Sequence, residues 1–453
     1  MKVQLACTLI MSVLEQLIYS GLISGWSALV PVLKAEKFFS LKCNSTTMEA
    51  CNHQIESLNL VYTVATAAAP LFGVFCGLIL DKFGGWTLRT CMILIESVGF
   101  FLLRYTSVES SWILYISFPF ITIGGYGLCT ANLKMCNLFS SRKSTVLSLV
   151  CGCISTSALT FLGLNKVYFS SAMPFQEICL TFVFVSFVFH LNTFLLTPKY
   201  QVCKERPVNY FYGYKELDCL KEKMDKKSES KSPNRNYTYK ESILVSLKRY
   251  YFWSNAAHYS ILSFLLSYFL GSFNSWVVNK VQKDEEDTLI FVLNIAISMG
   301  ALISPIAGGL LDYNRKKYKK LYSQKVSNMM SSAINYFICD ISAMLLFALS
   351  LVNNHAVQFA TIFFNSIARA FLYSTHASFI SIGFPEYHFG FLYTLVSLMT
   401  GASLFLQYPL TLVVTRFFDS SYDAVYSVLF VLSAICLVHP ISLIVLSKNI
   451  RKK

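Results

Sequence analysis

Charge is what this sequence lacks. Aspartate, glutamate, lysine and arginine fill 14% of 453 positions, while apolar residues fill 55%; an ordinary soluble domain carries roughly 25% charged residues. Too few charged side chains remain to give so much apolar mass a wettable surface, which excludes a soluble globular protein. The short signatures of enzymes are missing too. There is no His-Glu-x-x-His, no Gly-x-Ser-x-Gly and no Cys-x-x-Cys, so no motif supplies a metal-bound water, a nucleophile elbow or a redox dithiol. No enzyme, metal or cofactor is implied. The N-terminal apolar block has no basic n-region beyond Lys2, has no small-x-small cleavage site before Trp26, and is too long for an h-region. It reads as a span, not as a cleavable signal peptide.

What is present comes in blocks. The mean hydropathy is +0.52, and twelve apolar stretches can be counted, at about 4–31, 57–80, 87–106, 111–136, 145–167, 177–197, 252–278, 287–311, 329–352, 355–383, 389–415 and 422–447. Each is about 20–28 residues long, enough to cross roughly 30 Å of hydrocarbon at 1.5 Å per residue. The expected fold class is therefore all-α, a polytopic membrane protein of twelve transmembrane helices.

The net charge of +14 invites a nucleic-acid reading, but its distribution speaks against one. Lys82 and Arg89 follow the second block, Arg142 and Lys143 the fourth, and Arg315, Lys316, Lys317, Lys319, Lys320 and Lys325 the eighth. The 198–249 loop holds 13 Lys/Arg against seven acids, and Lys448, Arg451, Lys452 and Lys453 close the chain. The intervening loops are poor in basic residues or balanced by acids, as in 280–287. Basic residues retained on one side place both termini and the large loop in the cytoplasm. The partners this leaves are a lipid bilayer and a small solute, not nucleic acid, and a monomer is expected.

Most of the 14 cysteines lie inside apolar blocks, where a thiol behaves as a small hydrophobe. Cys43 and Cys51 instead fall in the first outer loop beside the sequon Asn44-Ser45-Thr46. On the outer side their spacing could close a disulfide, or they could stay free thiols, and Asn44 could carry a glycan. The sequon at Asn236 is assigned to the cytoplasmic side and should stay bare.

The chain divides near its middle: residues 1–197, a polar loop at 198–249, then 250–453. An echo links the two parts. "GLILDKFGG" at 77–85 closes the second block, and "GGLLDYNRKK" at 308–317 closes the eighth. Pro70 and Pro305 lie upstream, at separations from Asp81 and Asp312 that differ by about one helical turn. A second echo pairs "NLFSSRKSTVLSL" (137–149) with "GFPEYHFGFLYTL" (383–395). Duplicated halves with a solute site between them are the usual build of secondary transporters. A channel or receptor has no need of that duplication; a membrane scaffold without a solute pathway remains the non-transport alternative.

"GLILDKFGGWTLR" resembles the loop motif of the major facilitator superfamily, with Gly85-Trp86 where that pattern often has a basic pair. Over its whole length the chain resembles solute carrier family 43, through "GWSALVPVLKAEKFF" (25–39), "NLFSSRKST" (137–145), "GSFNSWVVNK" (271–280) and "ARAFLYSTHASFISIGFPEYHFG" (368–390). The resemblance implies two pseudo-symmetric six-helix halves and sodium-independent facilitated diffusion at the plasma membrane. One branch of the family carries large neutral amino acids, the other nucleobases. "TIGG" (122–125), "ANLKMCNLF" (131–139), "RAFLYSTHASF" (369–379) and "HP" (439–440) look more like the nucleobase branch, and "CNHQIESLNL" (51–60) more like the amino-acid branch. The balance leans to purine nucleobases, with large neutral amino acids as the alternative.

In the fold so implied, spans one, four, seven and ten line the central cavity, and each carries one unusual polar group: Glu15, Asn132, Asn274 and Arg369. A charge inside a membrane usually faces a cavity or a partner. These four, with Tyr126, Tyr373 and His376, are the candidate solute-binding residues. Glu15 and Arg369 could instead pair with each other across the halves, and the asparagines could make interhelical hydrogen bonds. Phe273 and Trp276 are further candidate stacking rings. Glu96 and Asp340 read as structural acids, and His258 and His376 as candidate proton carriers. For gating, Asp81 with Arg89 is expected to latch one state, with Asp312 and Arg315 as the weaker counterpart; static retention of charge on the inner side is the plainer reading.

Overall fold

The computed structural model describes residues 2–42, 52–135, 143–171, 173–196, 243–278, 280, 283–385, 388–418 and 421–452. Asn44, Cys43 and Cys51 lie outside these residues, as do 198–242 of the loop and the side chain of Asp81. Among the described residues every regular element is a helix.

The first span is broken. Helix α1 (Lys2–Glu15) widens into a π turn at Gln16–Ser20, tightens into a 3-10 turn at Leu22–Gly25, and resumes as α2 (Trp26–Ala35). The helix axis bends by 53° at this break. Helix α3 (Asn52–Arg104) contains two spans joined at Gly84, whose φ of 85° breaks the helical path. With ψ at 173°, that backbone conformation is open essentially to glycine alone, so the first echo doubles as the turn between spans. Helices α4 (Leu114–Met135), α5 (Lys143–Thr156), α6 (Ala158–Ser171) and α7 (Phe175–Leu196) follow, with α5 and α6 the two arms of one span.

After the loop come α8 (Tyr250–Val278), α9 (Lys283–Ser298), α10 (Gly300–Lys319), α11 (Gln324–Ser350) and α12 (His355–Gly383). Helices α13 (Phe389–Leu404), α14 (Gln407–Phe417), α15 (Asp423–Cys436) and α16 (Val438–Lys452) end the chain. Pro70 and Pro305 both sit inside helices, upstream of the two echoes.

Where the sequence reading counts twelve spans, nine helices among the described residues are long and apolar enough to cross a membrane, and the bent pair around Gly21 makes a tenth. Helix α12 falls short because its buried face carries Gln358, Asn365, Arg369, Thr375 and His376. A helix facing the protein interior can be polar where a lipid-facing one cannot. Helix α7 offers only Phe175–Phe189 as its described apolar stretch.

Apolar side chains from Tyr19 to Phe189 pack into one core. Those from Tyr251 to Leu443 form another, joined by Ala67 and Ala158. The outer surface is apolar as well: Phe75, Val188, Leu302, Ile306 and Val428 are each 58–64% exposed. Isolated exposed hydrophobes are ordinary, but so many on the outward faces of long apolar helices make a lipid-facing surface. The chain is a multi-pass membrane protein.

Candidate functional site

Between the two cores lies a cavity of about 150 Å³. An apolar protein cavity of about that volume accepts a single aromatic ring. Its wall includes the break in the first span (Tyr19–Ser24), Tyr62 and Thr66 of α3, Tyr126 and Thr130 of α4, and Cys151 and Ile154 of α5. From the second half come Tyr259 and Ser267 of α8, Arg369 and Tyr373 of α12, and Tyr393 and Ser397 of α13. Arg369 is the one charged side chain among the described residues of this wall.

Three of the seven sequence-predicted binding residues, Tyr126, Arg369 and Tyr373, border this cavity; Glu15, Asn132, Asn274 and His376 do not. Arg369 is 5% exposed. It donates from Nη2 to Ser24 Oγ at 3.2 Å, its guanidinium carbon lies 5.5 Å from the Tyr373 ring centre, and its Nε has no partner. Tyr126 shares a 2.7 Å hydrogen bond with Ser397 of the opposite half, and the Tyr62 hydroxyl donates to the Ser267 carbonyl at 3.1 Å.

Glu15 pairs with Arg89 and not with Arg369. Arg89 is fully buried and spends its donors inside the first half: Nη2 to Glu15 Oε2 at 2.5 Å, Nη1 to Asn132 Oδ1 at 2.6 Å, and Nε to Thr193 Oγ1 at 3.2 Å. The residue expected beside Asp81 in a latch therefore sits in a buried polar cluster joining α1, α3, α4 and α7. Arg315 likewise bonds within its own half, from Nε to Asn328 Oδ1 at 2.9 Å. Asp312 lines a groove with Arg315 and Lys316 at the end of α10.

The second half has its own polar cluster behind the cavity wall. His376 stacks on Tyr259, ring centres 3.9 Å apart, and its Nδ1 is 3.2 Å from Asn255 Nδ2. Tyr336 donates to Asn255 Oδ1 at 2.6 Å, and His258 Nε2 lies 2.7 Å from Asp340 Oδ1. Phe273 and Trp276 are fully buried in the core of this half. Glu96 is buried in the first half with neither carboxyl oxygen partnered.

Contacts between the halves occur on both sides of the cavity along the helix axes. Toward one end, Asn274 Nδ2 donates to the Ser27 carbonyl at 3.0 Å, Asn294 Nδ2 to Ser27 Oγ at 2.9 Å, and Arg416 meets Glu56 at 3.4 Å. Toward the other, Ser374 donates to Ser148 at 2.7 Å. There α5 and α10 cross so closely that a Cβ on Gly152 would lie 2.4 Å from the Gly300 carbonyl oxygen. The cavity therefore lies between cross-half contacts on both sides.

Sequence reasoning missed Tyr62, Tyr259, Tyr393 and the Tyr19–Ser24 break. Among 26 tyrosines nothing local marks those that reach a cavity. The break did carry a signal, in the closely spaced Gly21 and Gly25 inside an apolar run.

No family model matches the chain. It is 25% identical over 470 residues to equilibrative nucleobase transporter 1 of Bos taurus, an alignment covering 96% of this chain and 94% of the relative. It is 23% identical to large neutral amino acids transporter small subunit 3 of Homo sapiens, covering 90% of this chain and 86% of that one. Among solved structures it resembles a bacterial homologue of the iron transporter ferroportin, captured in an outward-facing state. The TM-score is 0.54 at 12% identity, covering 96% of this chain and 98% of the other. That likeness shows the fold alone, over nearly the whole chain.

Proposed function

For a chain that belongs with the solute carrier family 43 transporters of the major facilitator superfamily, we propose facilitative, sodium-independent transport of a purine nucleobase by alternating access. The observation that carries this reading is the cavity between the halves, ring-sized, rich in tyrosine, and edged by one guanidinium with no carboxylate among its described lining residues. A flat, neutral solute can stack on tyrosine rings and spend its polar edge on hydroxyls and a guanidinium. A zwitterionic amino acid would find a carboxylate site in Arg369 but no acid for its ammonium, because Glu15 is engaged by Arg89. The name of the bovine relative supports the same choice.

In this reading Arg369, Tyr126 and Tyr373 hold the solute, and residues 1–197 rock against 250–453 with 198–249 as a cytoplasmic tether. Rocking needs two states of similar energy, whose cross-half contacts form at one end and break at the other. The transporter works as a monomer in the plasma membrane, with both termini inside. The test is uptake of labelled purine by cells expressing the chain, with unlabelled purine and unlabelled leucine as competitors. Purine should compete and leucine should not; competition by leucine alone would replace the nucleobase reading with the amino-acid one.

A further inference from the structure

Arg369 is more than ring stacking requires. A buried guanidinium in a membrane span is costly without a partner, yet among the described residues this one makes a single hydrogen bond, to Ser24, and forms no ion pair. Its Nε is buried and unpartnered, and the residue borders the cavity. Leaving a donor unmade is expensive, whereas a ligand acceptor that meets the guanidinium gains a charge-assisted bond. The guanidinium carbon lies over the Tyr373 ring, and Ser24 accepts from one of the nitrogens. What remains is a planar donor fork at the edge of a ring-sized cavity.

The ligand edge that satisfies such a fork has two adjacent acceptors. A 6-oxopurine offers one in N7 and O6, the pair that arginine reads bidentately on guanine. Adenine offers the N7 acceptor beside an N6 amino donor, which would set N–H against N–H. We propose that Arg369 makes this transporter selective for 6-oxopurines over adenine, with Ser24 as the positioning residue that orients the fork. The inference deepens the nucleobase reading and rests on it.

The test compares initial-rate uptake of labelled hypoxanthine and labelled adenine by cells expressing the full chain, with vector-only cells subtracted. The wild-type protein should take hypoxanthine with a KM about tenfold below that for adenine, the scale of one bidentate contact. R369Q should bring the ratio of the two KM values close to one, chiefly by raising that for hypoxanthine. R369K keeps the charge and loses the fork, so it should also lose most of the preference. Equal KM values in the wild type, or an R369Q variant that shifts both solutes by the same factor, would overturn the assignment. Should R369Q not reach the membrane, S24A gives the same readout: a several-fold fall in the preference supports the fork, and an unchanged ratio overturns it. Purine uptake without an oxo preference removes the Arg369 assignment alone. Leucine uptake with neither purine carried removes the nucleobase reading itself, and the inference with it.

Discussion

Arg369 and Ser24, 345 positions apart in the chain, meet at 3.2 Å across the cavity. One belongs to the long polar helix α12 and the other to the break in the first span, so the halves touch at the level where a solute would sit. A solute that binds the guanidinium therefore acts on a contact between the halves. Differential interaction of a ligand with two states is what shifts their populations.

Further along the helices, Ser148 and Ser374 lie hydroxyl to hydroxyl at 2.7 Å. Alternating access requires that contact to open in every cycle. A Ser148→Cys, Ser374→Cys double variant should cross-link under mild oxidation, since hydroxyls so close bring the two Cβ atoms near disulfide range. Uptake should stop on oxidation and return with a reducing agent, each single variant serving as control. Efficient cross-linking with undiminished uptake would mean that this end does not open.

Gly152 and Gly300 let α5 and α10 pack backbone to backbone. Gly152→Ala should overpack the crossing at a cost of about 1–3 kcal/mol, lowering the melting temperature of the purified protein and the maximal uptake rate together. Wild-type melting and wild-type uptake would show that the two helices do not approach so closely in the working protein.

Glu15 neutralises the fully buried Arg89. Removing one partner of a buried pair typically costs about 3–5 kcal/mol, because the other charge is left uncompensated. Glu15→Gln should therefore cut surface expression and thermal stability while leaving KM unchanged in the protein that survives. Glu15→Gln with Arg89→Gln should recover part of the loss, which a double-mutant cycle on melting would register as coupling. A stable Glu15→Gln variant with an altered KM would return Glu15 to the solute.

These residues mark what the sequence could convey. Apolar blocks of spanning length and the Gly77 and Gly308 echoes were legible because hydropathy and spacing are properties of the chain itself. That α1, α4, α8 and α12 carry unusual polar groups was legible too. Which way those groups point was not. Glu15 and Arg369 are each the conspicuous charge of their span, yet the partner of Glu15 is Arg89, read from sequence as a loop cation because the turn at Gly84 is tight enough to start the third span early. Asn274 turns to the Ser27 carbonyl and His376 to the Tyr259 ring, choices set by helix rotation within a fraction of a turn. The tyrosines of the cavity wall were hidden by abundance.

The most direct measurement is counterflow in proteoliposomes holding the purified chain. Vesicles loaded with unlabelled hypoxanthine should transiently accumulate labelled hypoxanthine above its external concentration, and loading with leucine should have no effect. That overshoot needs a cavity that faces one side at a time. Uptake that ignores the internal solute, or an overshoot driven by leucine and not by purine, would contradict a nucleobase carrier working from the chamber at Arg369.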